Sequence, residues 1–292
     1  MRNKNFAVFI LTHGRADNVV TIKTLRDAGY TGGIFLIVDD EDAMLDKYRE
    51  RYKHQVLVFS KDDMRGSFDF GDSTEKMNVV VYARNVCHKF ARQLGLDHFL
   101  VLDDDYTAFM YRNDSHGQYT NHTPKVKKTL DKMFDSLLTF YKRTNALTLC
   151  ISQGGDFIGG KHSPYASKPT LTRKAMNSFF CATDRPFQFV GYINEDVNTY
   201  VSMGATGDLF LTVPLISLAQ IQTQQNVGGL TDAYLDRGTF VKSFFSVMYQ
   251  PSAVKIGIMY SGHNRIHHVV NWRNAVPLIL HEKHRKANGC QV

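Results

Sequence analysis

Residues 98–109 have the sequence HFLVLDDDYTAF, and the organisation of the chain follows from them. The first five are mostly apolar and predict a buried strand, which ends where three aspartates arrive together. Alternate side chains of a strand share a face, so Asp103 and Asp105 are expected to point together and Asp104 away. Two carboxylates on one face repel unless a cation lies between them, and oxygen ligands suit Mg²⁺ or Mn²⁺. For an isolated Asp-X-Asp the alternative is a solvated acidic turn.

The composition limits the class of protein. The chain has 292 residues with 43% hydrophobic and 12% aromatic side chains, enough for one large domain or two small ones. It has no apolar run of about 18 residues, so we expect no membrane span, and the start of the sequence lacks the long apolar run of a signal peptide. Four scattered cysteines without a C-x-x-C pair argue against a zinc knuckle or disulfide framework and favour a reducing cytoplasm.

The charge is +7 at pH 7, with a pI near 9.1. A basic balance favours polyanionic partners such as nucleic acid or nucleotide phosphates, although many basic proteins bind neither.

The first 60 residues alternate between strands and helices. Apolar runs predict strands over Phe6–Leu11, Ile34–Val38 and Gln55–Phe59, separated by helices over Ala16–Ala28 and Asp42–Tyr52. This alternation predicts a parallel sheet covered by helices. No repeat or linker follows, so one domain is the simpler interpretation.

The rest of the chain continues this α/β pattern. Helical spacing predicts a helix from about Lys76 to Leu94, and Thr123-Pro124 has the composition of a helix start. Further strands are predicted over Leu147–Ser152, Phe187–Tyr192, Leu209–Val213 and Val254–Tyr260, with a helix near Thr239–Met248.

Four polar features fall at predicted strand ends. They are Asp103/Asp105, the loop Gly154-Gly155-Asp156, the pair Glu195-Asp196 and the histidines His263, His267 and His268. A metal site, a glycine loop, an acid/base pair and a late histidine together suit group transfer from a nucleotide diphosphate.

In this order the motifs resemble those of GT-A glycosyltransferases. The matching positions are Asp103 and Asp105 for the D-x-D motif, Gly154 and Gly155 for the glycine loop, Glu195 and Asp196 for the x-E-D motif, and His263, or alternatively His267 or His268, for the C-terminal histidine. The resemblance implies one α/β domain over residues 1–292, with a Rossmann-like, mostly parallel central sheet flanked by helices. About 1–110 would bind the nucleotide sugar and about 111–292 the acceptor.

The resemblance also implies the ligands. The donor would be a UDP-sugar, and Mn²⁺ or Mg²⁺ would be held by Asp103, Asp105 and His263. Donor contacts are expected from Thr12, Arg15, Asp39, Arg84, Asp104, Gly154 and Gly155. The alternatives are a helix-surface charge for Arg84 and a turn or helix cap for Asp39.

A narrower resemblance rests on FILTHGR at 9–15, DDDY at 103–106 and NED at 194–196. These motifs are similar to those of the TET-associated glycosyltransferases, a family encoded by bacteriophages and implicated in glycosylating 5-hydroxymethylcytosine in phage DNA. The resemblance implies double-stranded hydroxymethylated DNA as acceptor and, for a phage protein, the host cytoplasm as location. The expected acceptor contacts are Asp156, Lys161, Arg173, Lys174 and Arg185.

In such an enzyme Asp196 would take the proton from the acceptor hydroxyl, provided that the reaction inverts configuration, and Glu195 would orient a hydroxyl. The alternative for this pair is a helix N-terminus with a favourable dipole interaction. Three other functions stay open: a sugar transferase acting on protein or glycan, a nucleotidyltransferase, for which Thr12-His13-Gly14-Arg15 is a poor match, and a non-catalytic DNA-binding module.

Overall fold

The computed structural model of the chain describes residues 3–71, 79–114, 116, 118–120, 123–157, 160–163, 168–221, 240–261, 263–279 and 282. In these ranges the strands are β1 (Phe6–Leu11), β2 (Gly33–Asp39), β3 (Val56–Phe59), β4 (His98–Asp103), β5 (Tyr106–Tyr111), β6 (Thr148–Gln153), β7 (Ser178–Ala182), β8 (Phe210–Gln220), β9 (Val254–Ser261) and β10 (His263–Val270). The helices are α1 (Val20–Ala28), α2 (Leu45–Tyr52), α3 (Val80–Gln93), α4 (Leu130–Lys142), α5 (Glu195–Ala205), α6 (Val241–Tyr249) and α7 (Trp272–Ala275).

Eight strands form one sheet in the order β3-β2-β1-β4-β7-β6-β8-β5. The pairs of β1 with β2 and β4, of β2 with β3 and of β6 with β8 are parallel, while β7 lies antiparallel between β4 and β6. The carboxyl ends of β1 to β4, β6 and β8 therefore share one edge of the sheet. The predicted α/β fold with a mostly parallel central sheet is confirmed.

Strand β1 lies at the centre of the core, and all six of its residues are buried. Phe6, Val8 and Ile10 contact the apolar layer under α1 and α4, whereas Phe9 and Leu11 contact the layer under α3 and α5. A strand covered on both faces must be apolar throughout, which explains why its sequence is a continuous hydrophobic run.

One predicted strand was wrong, and three strands were missed. Residues 187–192 do not form a strand, although Phe187, Phe189 and Tyr192 are buried in the core. Strand β7 lies between β4 and β6 instead. The pairs Leu102–Ser178 and His98–Ala182 show that it runs antiparallel to β4. Both segments are apolar because both are buried, and only pairing with neighbouring strands makes one of them a strand. Strands β5 and β10 were also missed, the first because it follows the three aspartates at once and the second because it is largely polar.

Helix starts also differ from the predictions. Helix α4 begins at Leu130 rather than at Thr123-Pro124, because Lys125 bridges to Met110 and Lys128 has a left-handed φ of 60°. Helix α3 begins at Val80 since Val79 is extended. None of the helices in the described ranges has the length and hydropathy to cross a bilayer.

Two glycines at helix ends test the packing of this framework. Gly29 (φ 95°) caps α1 and Gly95 (φ 64°) follows α3, but only at Gly29 would an added Cβ meet backbone, 2.5 Å from Cα of Lys128. An alanine in the left-handed backbone conformation costs about 1–2 kcal/mol, so Gly95→Ala should lower the free energy of unfolding by that amount. Gly29→Ala should cost a further ~1–3 kcal/mol for the forced displacement. Urea denaturation of both variants checks this, and equal losses would contradict it.

Candidate active site

The candidate residues lie where neighbouring strands end. Thr12 follows β1, Asp39 ends β2, Asp103 ends β4 and Gly154 follows β6, and the register pairs Leu11 with Asp103. Because parallel strands bring their carboxyl ends to one edge, residues far apart in sequence meet there, at the usual ligand position of open α/β sheets.

Asp104 is the buried member of the three aspartates. Its carboxylate accepts hydrogen bonds from Thr12 Oγ1 at 2.8 Å and from Arg15 Nη1 at 2.7 Å. Asp103 and Asp105 are partly exposed, in agreement with the predicted alternation. The pairing brings together three of the predicted donor residues and fixes the loop after β1 against the end of β4.

Asp103 is linked to the second acidic motif through Arg84 of α3. One terminal nitrogen of Arg84 lies 3.6 Å from Asp103 Oδ1, and Nε lies 3.0 Å from Glu195 Oε1. Burial raises the pKa of Asp103 and the charge of Arg84 opposes this rise, as they also do for Glu195. One guanidinium therefore neutralises part of the charge of two motifs that lie 92 positions apart in the sequence.

The guanidinium of Arg84 is enclosed. Its side chain is 4% exposed, and its Cζ lies 4.9 Å from the ring centroid of Phe179 and 5.5 Å from that of Phe189. The aromatic rings desolvate the cation and face it with their negative π surfaces. The described contacts of Arg84 are with protein groups, so its expected contact with the donor stays a prediction.

Asp105 has no cationic partner within 4 Å among the described residues, unlike Asp103 and Asp104. Burial and the neighbouring charges of Asp103 and Asp104 raise the pKa of Asp105 to about 7. A carboxylate whose pKa is raised by neighbouring carboxylates gains most from an added cation. Asp103 and Asp105 are thus a chemically suitable pair for a hard divalent ion.

Asp196 lies in the first turn of α5, one residue after Glu195. Its Oδ1 accepts a hydrogen bond of 2.7 Å from the backbone N–H of Val197, and the residue is 7% exposed. It forms no ion pair within the part of the chain that the structure describes. A buried carboxylate without a cation partner is a chemically reasonable proton acceptor.

A second polar cluster surrounds Asp39. Its carboxylate lies 2.7 Å from Nδ1 of His13 and 2.8 Å from Nζ of the buried Lys61, and His13 Nδ1 also lies 3.3 Å from Asp42. Although burial acts the other way, the hydrogen bonds from His13 and Lys61 hold the pKa of Asp39 below its usual value. His13, Asp42 and Lys61 were missed at the sequence level. The signal for Lys61 was its position just after a parallel strand.

His13, Asp39 and Asp42 offer ligand atoms within 4.8 Å of one another, the one such set of three among the described residues. Lys61 already supplies a cation to Asp39, so this set has less need of a metal than Asp103 and Asp105. His263 begins β10, but its side chain falls outside the described structure. Its predicted metal contact stays a prediction.

Four of the five predicted acceptor residues lie near the glycine loop that was predicted for the donor site. Gly154 and Gly155 open a short 3-10 helix that ends at Phe157, and Asp156 within it forms a close ion pair with Arg173. Lys161 is exposed, and burial lowers the pKa of the half-buried Lys174. These residues lie at the edge that carries Asp103.

Arg185 is not brought to this edge. It follows β7, whose end pairs with His98 at the opposite end of β4. Its guanidinium donates hydrogen bonds of 2.9 and 2.7 Å to the carbonyl oxygens of Thr144 and Ala146 and lies over the ring of Tyr141. We assign Arg185 to stabilising the loop between α4 and β6.

The sequence profile described as TET-Associated Glycosyltransferase matches residues 6–229. The chain belongs to this family. The predicted family and enzyme class, a glycosyltransferase, are thereby confirmed. No curated protein sequence matches the chain.

Solved structures resembling this glycosyltransferase include glucosyl-3-phosphoglycerate synthase from Mycobacterium tuberculosis in complex with Mg²⁺ and UDP, at 9% identity and a TM-score of 0.45, covering 94% of this chain and 89% of that one. Another is S. aureus TarS 1-349 in complex with UDP-GlcNAc, at 12% identity and a TM-score of 0.47, covering 84% of this chain and 66% of that one.

The Arg84 linkage can be tested by a double-variant cycle. Arg84→Met removes the cation and leaves Asp103 and Glu195 as uncompensated buried charges, which should cost the glycosyltransferase about 3–5 kcal/mol of unfolding free energy. Adding Glu195→Gln removes one of these charges, so the double variant should recover at least ~1 kcal/mol. Urea unfolding of the four proteins measures the coupling. Strictly additive losses would show that the two side chains do not interact.

The Asp39 cluster predicts a pH-dependent contribution to stability. The hydrogen bond to Asp39 raises the pKa of His13 above its ordinary 6.5. Protonated His13 therefore stabilises the fold below pH 6.5, and this contribution is lost as the pH rises through the raised pKa. His13→Gln should lower the free energy of unfolding more at pH 5.5 than at pH 9. Replacing the exposed His54 by Gln is the control, and the same difference there would argue against the assignment.

Proposed function

We propose that this glycosyltransferase transfers a sugar from a UDP-sugar to the hydroxymethyl group of 5-hydroxymethylcytosine in double-stranded DNA, with the help of Mn²⁺ or Mg²⁺. Membership of the family supports sugar transfer, and the family description supports an acceptor of this chemical class. The observation that carries the proposal is Asp105, a carboxylate at the ligand edge of the sheet that has no cation partner among the described residues.

The metal would be held by Asp103 and Asp105. The expected third ligand, His263, opens β10 at the end of the β9–β10 pair opposite Val254 and Val270, whereas His268 lies near Asn194 at the other end. Both carboxyl groups have raised pKa values because they are desolvated close to other acids, and a hard cation relieves this repulsion. When bound, such an ion supplies Lewis-acid neutralisation of the charge on a diphosphate leaving group. Arg84, 3.6 Å from Oδ1 of Asp103, would hold that carboxylate in place.

The donor would lie along the ends of β1, β2 and β4. Thr12, Arg15 and Asp104 form one hydrogen-bonded group there, and Asp39 with Lys61 forms the next. We propose that the backbone at Gly154 and Gly155 closes the donor site on the side of β6.

Asp196 would accept the proton of the acceptor hydroxyl in an inverting reaction, a role typically worth about 10²–10⁴-fold in rate. Glu195 is 4% exposed and lies against Arg84, so it acts in this proposal by positioning Arg84 and Asp103. The two adjacent acids of α5 thus have separate tasks, the first structural and the second chemical.

Acceptor phosphates would be received by Lys161, Arg173 and Lys174, with Asp156 orienting Arg173. The net charge of +7 supports a polyanionic acceptor. The hydroxymethyl group of the modified base projects into the major groove, so the enzyme must approach through that groove or extrude the base.

The metal site is tested by sugar transfer from a panel of UDP-sugars to duplex DNA containing 5-hydroxymethylcytosine, with Mn²⁺ or with chelator. Asp105→Asn should reduce transfer at least about 100-fold, since removal of one charged ligand weakens the Lewis acid. Asp46→Asn, which changes an exposed carboxylate on α2, is the matched control and should retain full activity. Unmodified DNA should receive no sugar.

Three results would revise the proposal. Sugar transfer that persists in the presence of chelator would show that the reaction needs no metal. Metal-dependent hydrolysis of the UDP-sugar without transfer to DNA would keep the donor site but exclude this acceptor, leaving a protein or glycan acceptor. DNA binding with neither hydrolysis nor transfer would indicate a non-catalytic module.

The proposed base is tested separately. Asp196→Asn should lower kcat about 10²–10⁴-fold and leave the KM for the UDP-sugar nearly unchanged, because the side chain would act only on the acceptor proton. Steady-state kinetics with both substrates varied measures the two constants. Retention of kcat within about threefold, or retained configuration in the product, would exclude the role.

A further inference from the structure

A two-stranded ribbon, β9 with β10, lies outside the eight-stranded sheet. The strands pair antiparallel from Val254 opposite Val270 to Ser261 opposite His263. Along one face of β9 the exposed fraction rises from 2% at Val254 through 36% at Ile256 and 58% at Ile258 to 77% at Tyr260. This steady rise shows that the root of the ribbon is buried and that its far end projects from the body of the protein.

The segment that includes the ribbon has an unusual charge pattern. Residues 240–279 contain no Asp or Glu, although the whole chain has 28, and they contain Lys242, Lys255, Arg265 and Arg273. The register places Lys255, Met259 and Gly257 opposite Val269, Arg265 and His267, so the cationic side chains share one face of the ribbon. Lys255 and Arg265 are exposed there and have no carboxylate within 4 Å among the described residues.

The root of the ribbon is joined to the proposed base. Asn194, which immediately precedes the acidic pair of α5, donates a hydrogen bond to Ser246 Oγ of α6 and lies 3.5 Å from Nδ1 of His268 in β10. Ser246 Oγ donates to Asn198 Oδ1 at 2.9 Å. A partner bound along the ribbon would therefore extend directly towards Asp196.

Unpaired polar atoms accumulate at this root. His268 is 5% exposed, and among the described residues neither its Nε2 nor the buried Nδ1 of His267 has a hydrogen-bond partner. These ring nitrogens and the neighbouring ammonium group of Lys174 offer hydrogen-bond donors and positive charge to an anion.

We propose that the ribbon β9–β10 is the element that grips the duplex acceptor, entering the major groove and contacting phosphates through Lys255 and Arg265. The proposal rests on the DNA acceptor of the proposed function and extends it to a surface outside the residues assigned above. A two-stranded antiparallel ribbon fits the major groove, which is about 12 Å wide. The apolar end formed by Ile258, Tyr260 and Ile266 would meet base edges, while the cationic face would meet the backbone.

A membrane surface or a second copy of the chain are the competing occupants. An interface with a second copy would bring the unneutralised cationic faces of the two ribbons towards each other. The complete lack of acids over 40 residues and the connection to Asn194 favour a polyanion that is also the substrate.

The test compares two double variants that lose the same charge. Lys255→Ala/Arg265→Ala alters the ribbon, and Lys23→Ala/Arg49→Ala alters exposed positions of α1 and α2. Binding to a short duplex with 5-hydroxymethylcytosine is followed by fluorescence anisotropy over a range of salt concentrations. The ribbon variant should bind at least about tenfold more weakly, with a salt slope reduced by about 2, and the control should bind like the unsubstituted enzyme. Hydrolysis of the UDP-sugar should be unchanged in both.

Equal DNA affinity of the two double variants would overturn the ribbon proposal while leaving the DNA acceptor intact. Loss of binding to anionic lipid vesicles with retained DNA binding would assign the ribbon to a membrane, and a change in sedimentation alone would assign it to a second copy. An unsubstituted enzyme that hydrolyses UDP-sugar but does not bind DNA would overturn the DNA acceptor and the ribbon proposal together.

Discussion

The arrangement of the site depends on one buried cation. Arg84 lies against Asp103 at 3.6 Å and Glu195 at 3.0 Å, and aromatic rings of Phe179 and Phe189 exclude water from it. Buried charges are tolerated when they are paired, so α3, β4 and α5 can meet only with this guanidinium between them. A single positive charge does not neutralise two carboxylates. The surplus negative charge is left at the exposed side of the edge, where Asp103 and Asp105 meet solvent.

Three consecutive aspartates consequently have three different environments. Asp104 turns inward and is held by Thr12 and Arg15, Asp103 shares Arg84, and Asp105 has no cationic partner in the described structure. Asp103 ends β4, and Asp104 and Asp105 form the turn before β5, so the bonds of Asp104 to Thr12 and Arg15 hold that carboxylate inward. The pKa of about 7 at Asp105 measures how poorly the protein alone satisfies that last charge. A site that satisfied all three would have little affinity for a divalent ion.

Sequence patterns predicted what local physics controls. The bounds of β1, the glycine end of α1 and the position of the aspartates at a strand end all depend on hydrophobic runs and backbone preference, so they could be deduced. Strand β7 could not be deduced in this way, since residues 187–192 are as apolar as β7. Only the pairing with β4 and β6 in the folded sheet distinguishes the two segments. Arg84 was noticed, but its pairing with Glu195 needs two helices to meet. Arg185 is near Lys174 in sequence but lies at the opposite edge of the sheet, because β7 carries the chain across the sheet between them.

Under the proposed function the enzyme must bring two polyanions together, a diphosphate donor and a DNA backbone, and the structure offers them opposite surroundings. The edge near Asp103 and Asp105 is acidic, so a diphosphate is attracted there only together with a cation. The ribbon and α6 have no acid at all, so DNA phosphates are attracted without one. Asp196 lies between these surroundings, at the start of α5. Carboxylates such as Asp103 and Asp105 would repel DNA phosphates, whereas Lys161, Arg173, Lys174 and the ribbon would attract them. The DNA backbone would therefore lie away from the donor's phosphates while the acceptor hydroxyl is brought towards Asp196. Electrostatics would thereby hold the two substrates apart.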